Sequence, residues 1–256
     1  MIAIDRTSIG IRTPDGTADA YLARPDDGNG HPAVLVYMDA FGLRPDLEKT
    51  ADRLAEAGYT VLVPNVFYRH GRAPVVDLPD FIDRASGLEI FEHVLPIMKS
   101  LTPGLAMRDA DVYLRWLADS PLTTGGPVAI TGYCMGAGLA LRTAGTYAER
   151  IAAAAGFHGG NLAFEGPDSP HLLADRITAE LYFGHADEDH ALPPEQIGRL
   201  EQALTVAGVR HHCEVYTGAS HGFTRADTGV YDPGATERHW RALLGLLNRA
   251  FRHSVS

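Results

Sequence analysis

The chain has 256 residues, long for one domain and short for two, and its 45% hydrophobic residues can build a sizeable core. Its 22 Lys and Arg against 32 Asp and Glu give a formal charge of −10, which opposes the phosphate-neutralising surface that nucleic-acid binding needs. Nucleic acid is therefore not an expected partner. Among the basic residues only Lys49 and Lys99 are lysines, so any functional cation has to be found among the arginines by position. Cys134 and Cys213 offer at most one disulfide to a chain of a size that does not need one, which fits a reducing compartment. Residues 1–10 lack the basic start and apolar run of a signal peptide, and no apolar stretch approaches the roughly 20 residues needed to cross a bilayer. The expectation is a cytoplasmic protein without membrane contact, a monomer or small homo-oligomer.

In chain order, residues 7–25 alternate loosely around the turn signal Pro14-Asp15-Gly16-Thr17 and predict an opening hairpin. Residues 33–38 are a continuous apolar run, as expected of a strand buried on both faces. Residues 45–58 carry helical spacing at Leu47, Ala51, Leu54 and Ala55, with Gly58 as a stop, and 59–63 form the next strand. Residues 65–102, punctuated by Pro74, Pro79 and Pro96, break the rhythm and read as an excursion of mixed helical fragments. A helix over 104–118 follows. The alternation then resumes with strands at 128–131, 151–157, 179–183 and 212–216 and helices at 135–147, 194–207 and 235–251. Strands alternating with helices imply an α/β fold, a mostly parallel sheet flanked by helices on both faces, in a single domain over 1–256.

Open parallel sheets place chemistry at the carboxyl ends of their strands. Gly132-Tyr133-Cys134-Met135-Gly136 lies between a predicted strand and a predicted helix, the nucleophile-elbow pattern with cysteine in place of serine. The flanking glycines let strand and helix approach while the central residue is held in a strained turn, and a helix N-terminus favours a thiolate. An elbow needs an acid and then a histidine downstream, each at a strand end. Asp189, in Asp187-Glu188-Asp189-His190, and His221, in Ser220-His221-Gly222-Phe223, meet that order. The stretch from His185 to His190 also alternates imidazole and carboxylate as a metal cradle would, but the natural further ligand, His221, is better used by the elbow; no metal or other cofactor is expected.

These motifs, read together, resemble the dienelactone hydrolase family, the cysteine branch of the α/β-hydrolases. The match runs from the first buried strand through Arg225. The family's acidic residue, apolar residue, Phe and Gly correspond to Asp39-Ala40-Phe41-Gly42, with Asp where the founding enzymes have Glu. Its Arg after the next strand corresponds to Arg69 and its Arg beyond the catalytic histidine to Arg225; its Asp before His-x-x-Pro corresponds to Asp189. The resemblance implies a Cys134, His221, Asp189 triad, oxyanion donors at the amides of Ala40 and Met135, and Asp39 near the thiol. It also implies that Arg69 and Arg225 hold a substrate carboxylate, so that a small anionic lactone or enol ester is the expected substrate. An esterase or thioesterase for another acyl compound, or a non-catalytic binding member of the fold, are the alternatives.

Overall fold

The computed structural model describes residues 2–187 and 189–252. The chain folds as two compact units, one up to Val128 and one from Ala129 onward.

In the first unit, β1 (Ile4–Thr13) and β2 (Gly16–Pro25) form the expected hairpin, paired antiparallel from Ile4 opposite Pro25 to Thr13 opposite Gly16. The φ of +146° at Gly16, just past the turn, is one that side-chain-bearing residues rarely adopt. β3 (Ala33–Tyr37) and β4 (Thr60–Pro64) are buried at every residue and pair in parallel, and β4 pairs antiparallel with β2, giving the order β1-β2-β4-β3. Between them α1 (Pro45–Glu56) opens on Pro45, whose missing N–H is not needed in a first turn, and buries Leu47, Ala51, Leu54 and Ala55. α3 (Pro103–Asp119) is capped by Thr102, whose side chain accepts from the Leu105 amide at 3.3 Å.

The excursion differs from its expected fragments. Residues 84–100 form one helix, α2 (Arg84–Ser100), with Pro96 inside it. The side chain of Asp83 caps it by accepting from the amides of Ala85 and Ser86 at 2.9 and 2.8 Å. Only Val94 is buried, while Leu88 and Phe91 are exposed, so no apolar stripe marks the helix in the sequence.

The second unit carries β5 (Val128–Tyr133), α4 (Met135–Thr146), β6 (Ile151–Phe157), β7 (Glu180–Ala186), α5 (Pro194–Val206), β8 (His211–Tyr216) and α6 (Pro233–Arg252). Its strands lie in the order β5-β6-β7-β8, with β6, β7 and β8 parallel. α6 buries Leu243, Leu246 and Leu247 completely, each contributing about 2 kcal/mol of apolar burial. Among the described residues no helix is long and apolar enough to cross a membrane. The carboxyl ends of β5, β7 and β8 run into the loops that carry Cys134, Asp189 and His221, and this is what the fold contributes to the site.

Candidate active site

β5 runs into α4 through a turn with no spare room. A Cβ on Gly132 would stand 2.0 Å from the carbonyl oxygen of Gly136, so only glycine fits there. Cys134 has φ 54° and ψ −118°, a strained conformation for a side-chain-bearing residue, and its amide donates to the Phe157 carbonyl at 3.1 Å. As the N-cap of α4, its thiol stands at the positive end of the helix dipole. The amide of Met135 belongs to the first turn, which has no intrahelical acceptor. Cys134 and Met135 are the part-exposed residues in an otherwise buried stretch from Val128 to Ala137. Cys213, the other free cysteine, is held by burial as a thiol, its pKa pushed up to about 12.

His221 follows β8 and donates from Nδ1 to Asp189 Oδ2 at 2.6 Å. Asp189 is buried, and its other carboxylate oxygen accepts from the Ala191 amide at 2.8 Å. Burial works against charge on His221, but the nearby Cys134 sulfur and the hydrogen-bonded Asp189 carboxylate outweigh burial and hold its pKa well above that of ordinary imidazole. The three side chains therefore line up as a sulfur nucleophile, an imidazole that favours its charged form and a carboxyl group that orients it.

Asp187, the neighbouring acid, does different work. Its Oδ2 accepts from the Gly218 amide at 2.8 Å and its own amide donates to the Ala219 carbonyl, tying the β7 loop to the turn before His221. Glu188 lies outside the described residues. Among the described residues no three His, Cys, Asp or Glu side chains are placed to hold a metal ion. His185, one of the suspected ligands, is instead buried parallel to the Phe183 ring, with burial lowering its pKa to about 4.

Behind the triad lies a buried polar cluster of which the sequence reading singled out only Arg225. His158, at the end of β6, has φ 39° and no solvent exposure, and its ring meets that of His221 edge-on at 5.4 Å. Burial, with the like charges of His221, Arg225 and His239, keeps it neutral. Its Nε2 bonds the Thr224 hydroxyl at 2.7 Å, and that same oxygen accepts from Arg225 Nε at 3.0 Å. Arg225 is 2% exposed, its guanidinium carbon 4.2 Å from the centre of the Tyr133 ring, and the Tyr133 hydroxyl meets His239 Nε2 at 3.0 Å. The strand-end position of His158 was the one available signal.

In the first unit, Asp39 and Ala40 follow β3. Asp39 is buried, and its Oδ1 accepts from the Phe41 amide at 2.9 Å and from Arg44 at 2.8 Å. Arg69 follows β4 and forks onto Asp109, Nη1 and Nη2 donating at 2.7 and 2.8 Å, while its Nε donates to Asp15 at 2.9 Å. Neither Arg44 nor Asp109 was singled out by the sequence.

The model of the dienelactone hydrolase family matches residues 18–251. The chain belongs to the dienelactone hydrolase family. A carboxymethylenebutenolidase of Pseudomonas sp. (strain P51) is 28% identical over 236 residues, covering 91% of each chain. Among solved structures, the protein named m3DLH is similar with a TM-score of 0.81 and 25% identity, covering 97% of this chain and 99% of its own. A dienelactone hydrolase-like promiscuous phosphotriesterase, P91, from metagenomic libraries, superposes with a TM-score of 0.78 at 23% identity, covering 97% and 99%. The α/β-hydrolase fold that the family resemblance implied is the fold of this chain, and membership makes it a carboxylic-ester hydrolase.

Proposed function

We propose that this chain hydrolyses small lactones and enol esters through a covalent intermediate on Cys134, with His221 as acid and base and Asp189 as its orienting partner. The observation that carries the reading is the 2.6 Å hydrogen bond from His221 to Asp189, at the ends of β8 and β7, together with the strained elbow that presents Cys134 at the end of β5.

The thiolate attacks the ester carbonyl. Charge develops on the carbonyl oxygen, and the Met135 amide at the positive end of α4 stabilises it, with the Ala40 amide as the second donor that the family resemblance supplies. The tetrahedral adduct collapses as the leaving oxygen takes the proton from His221, leaving a thioester on Cys134. In a lactone that oxygen stays tethered to the acyl group, because ring opening releases no second molecule. Water then gives its proton to His221 and adds to the thioester, and the acid leaves as the thiol is restored. Asp39 serves in this reading as the residue that shapes the Ala40 turn, since Arg44 and the Phe41 amide engage its Oδ1. No cofactor takes part.

Replacing Cys134 with Ala tests the assignment. Activated esters should no longer be hydrolysed, and the acyl adduct seen on the wild type by intact-mass analysis should disappear. Hydrolysis at the wild-type rate by the variant would refute the nucleophile, and chelator inactivation reversed by zinc would refute the thiol mechanism.

A further inference from the structure

We infer that His158 is a positioning residue for the reaction: it holds the ring of His221, and the turn that carries that ring, through an edge-on contact and a hydrogen bond to Thr224. The inference rests on the hydrolase reading above and adds to it a side chain from a fourth strand end, that of β6.

The chain around His158 has little room to shift. A Cβ on Gly156 would stand 2.6 Å from Cε1 of Phe183, and one on Gly159 would stand 2.8 Å from the Cβ of Ala137, so the residues on either side pack as glycines. Between them the backbone is tied in two directions. The Phe157 carbonyl accepts from the Cys134 amide at 3.1 Å, and the His158 amide donates to the Gly184 carbonyl at 2.8 Å. The same two residues thus fasten β6 to the elbow and to β7, and His158 takes a φ of 39° between those anchors.

From there the side chain reaches three residues of one turn. Its ring lies 5.4 Å from that of His221 with the planes 66° apart and 5.2 Å from that of Phe223 at 78°, while Nε2 meets the Thr224 hydroxyl at 2.7 Å. The turn is closed by its own backbone, the Phe223 amide donating to the Ser220 carbonyl at 3.0 Å and the Arg225 amide to the Gly222 carbonyl at 2.9 Å. Holding Thr224 therefore holds His221 as well. Asp189 grips the imidazole at one nitrogen, which sets the place of that atom but not the plane of the ring. The edge of His158 supplies the second constraint.

Stability alone would not select histidine at this position. The residue is fully buried, and among the described residues its Nδ1 has no hydrogen-bond partner, a cost that an apolar ring of similar size avoids. It is faced by Tyr133 from β5, by His221 and Arg225 from the turn after β8, and by His239 from α6. Burial and the positive charge on those neighbours keep its imidazole neutral, and a neutral ring can lie against His221 in its charged form without repelling it. A strained backbone, an unpaired buried nitrogen and a polar ring coincide at the residue that touches His221, and such breaches of local rules gather where a site requires them.

The test uses three variants of the full chain and an activated ester, with kcat expressed per Cys134 that can be acylated. His158→Ala removes the ring and the bond to Thr224, His158→Phe keeps a ring against His221, and Thr224→Val removes only the bond. In His158→Ala kcat should fall about 10²-fold while KM stays within about threefold of the wild type. His158→Phe and Thr224→Val should each lie between the two. The low-field proton resonance of the His221–Asp189 hydrogen bond should broaden in His158→Ala and sharpen again in His158→Phe, a change that a purely structural role would not produce. A kcat in His158→Ala within about twofold of the wild type, or a loss of kcat with that resonance unmoved, would overturn the inference and leave the hydrolase reading intact. If His158→Ala does not fold, the other two variants decide, and wild-type kcat in both would overturn it. A wild-type protein whose Cys134 is not acylated would overturn the hydrolase reading and the inference with it.

Discussion

The α-carbon of Gly132 approaches the carbonyl of Gly136 so closely that a methyl group on it would sit 2.0 Å from the oxygen and 2.3 Å from the carbon. Both obstacles are backbone, and the turn between them is what aims Cys134. Gly132→Ala must therefore push β5 and α4 apart. The cost should reach at least about 2 kcal/mol, with a fall in Tm of about 5 °C or more and loss of ester hydrolysis in whatever protein remains folded. Thermal unfolding followed by circular dichroism checks this; a Tm equal to that of the wild type would show that the turn yields cheaply.

Cys134 carries a second form of strain, in its own backbone. At φ 54° and ψ −118° a Cβ is unwelcome and glycine is not. Glycine is also a better N-cap than alanine. Cys134→Gly should thus be more stable than Cys134→Ala by about 1 kcal/mol, the reverse of their order inside a helix, and both should be inactive. Parallel urea titrations of the two variants make the comparison, and equal midpoints would argue that the elbow is relaxed.

The 2.6 Å contact from His221 to Asp189 fixes which imidazole nitrogen faces Cys134. Asparagine at 189 keeps the size and the acceptor for the Ala191 amide, but its amide group can donate where the carboxylate accepted, which favours the wrong tautomer. Asp189→Asn should lower kcat about 10³-fold or more with little change in Tm. His221 also loses one of the two groups that raise its pKa, so it gives up its proton at lower pH. The alkaline limb of the kcat profile should move to lower pH. A variant with reduced kcat and an unmoved limb would mean that Asp189 only orients the ring.

Much of this arrangement could be read before any coordinates, and the reason is local. β3, β4 and β6 are short continuous apolar runs, the elbow is contiguous in sequence, and chain order constrains the acid and the histidine that follow it. The fork of Arg69 onto Asp109 was out of reach because the partners are 40 residues apart and either is an unremarkable surface charge by itself. Arg44 pairing with Asp39 likewise depends on how the loop after β3 folds back, and α2 hides because its apolar residues Leu88 and Phe91 face outward. Sequence order finds residues that must follow one another; it does not find charges that meet only through the fold.

His185 illustrates the same limit and gives the molecule a pH dependence. It is 1% exposed, parallel to Phe183, and among the described residues neither of its ring nitrogens has a hydrogen-bond partner. Burial lowers its pKa to about 4 against the opposing attraction of Asp189, whereas in the unfolded chain it returns to about 6.5. For a base depressed by folding, the unfolded state binds the proton first. Stability is therefore fully present above about pH 6.5 and is lost as pH falls toward 4, by up to about 3 kcal/mol. His158 is shifted in the same direction and adds its own share. His185→Leu removes one of the two titrations and also removes two unsatisfied polar atoms from the interior. The variant should be at least as stable as the wild type at pH 7, and its loss of stability between pH 7 and pH 4.5 should be smaller by about 2 kcal/mol. Urea unfolding at the two pH values decides the matter, since an unchanged difference would mean that His185 reaches solvent and titrates normally in the folded protein.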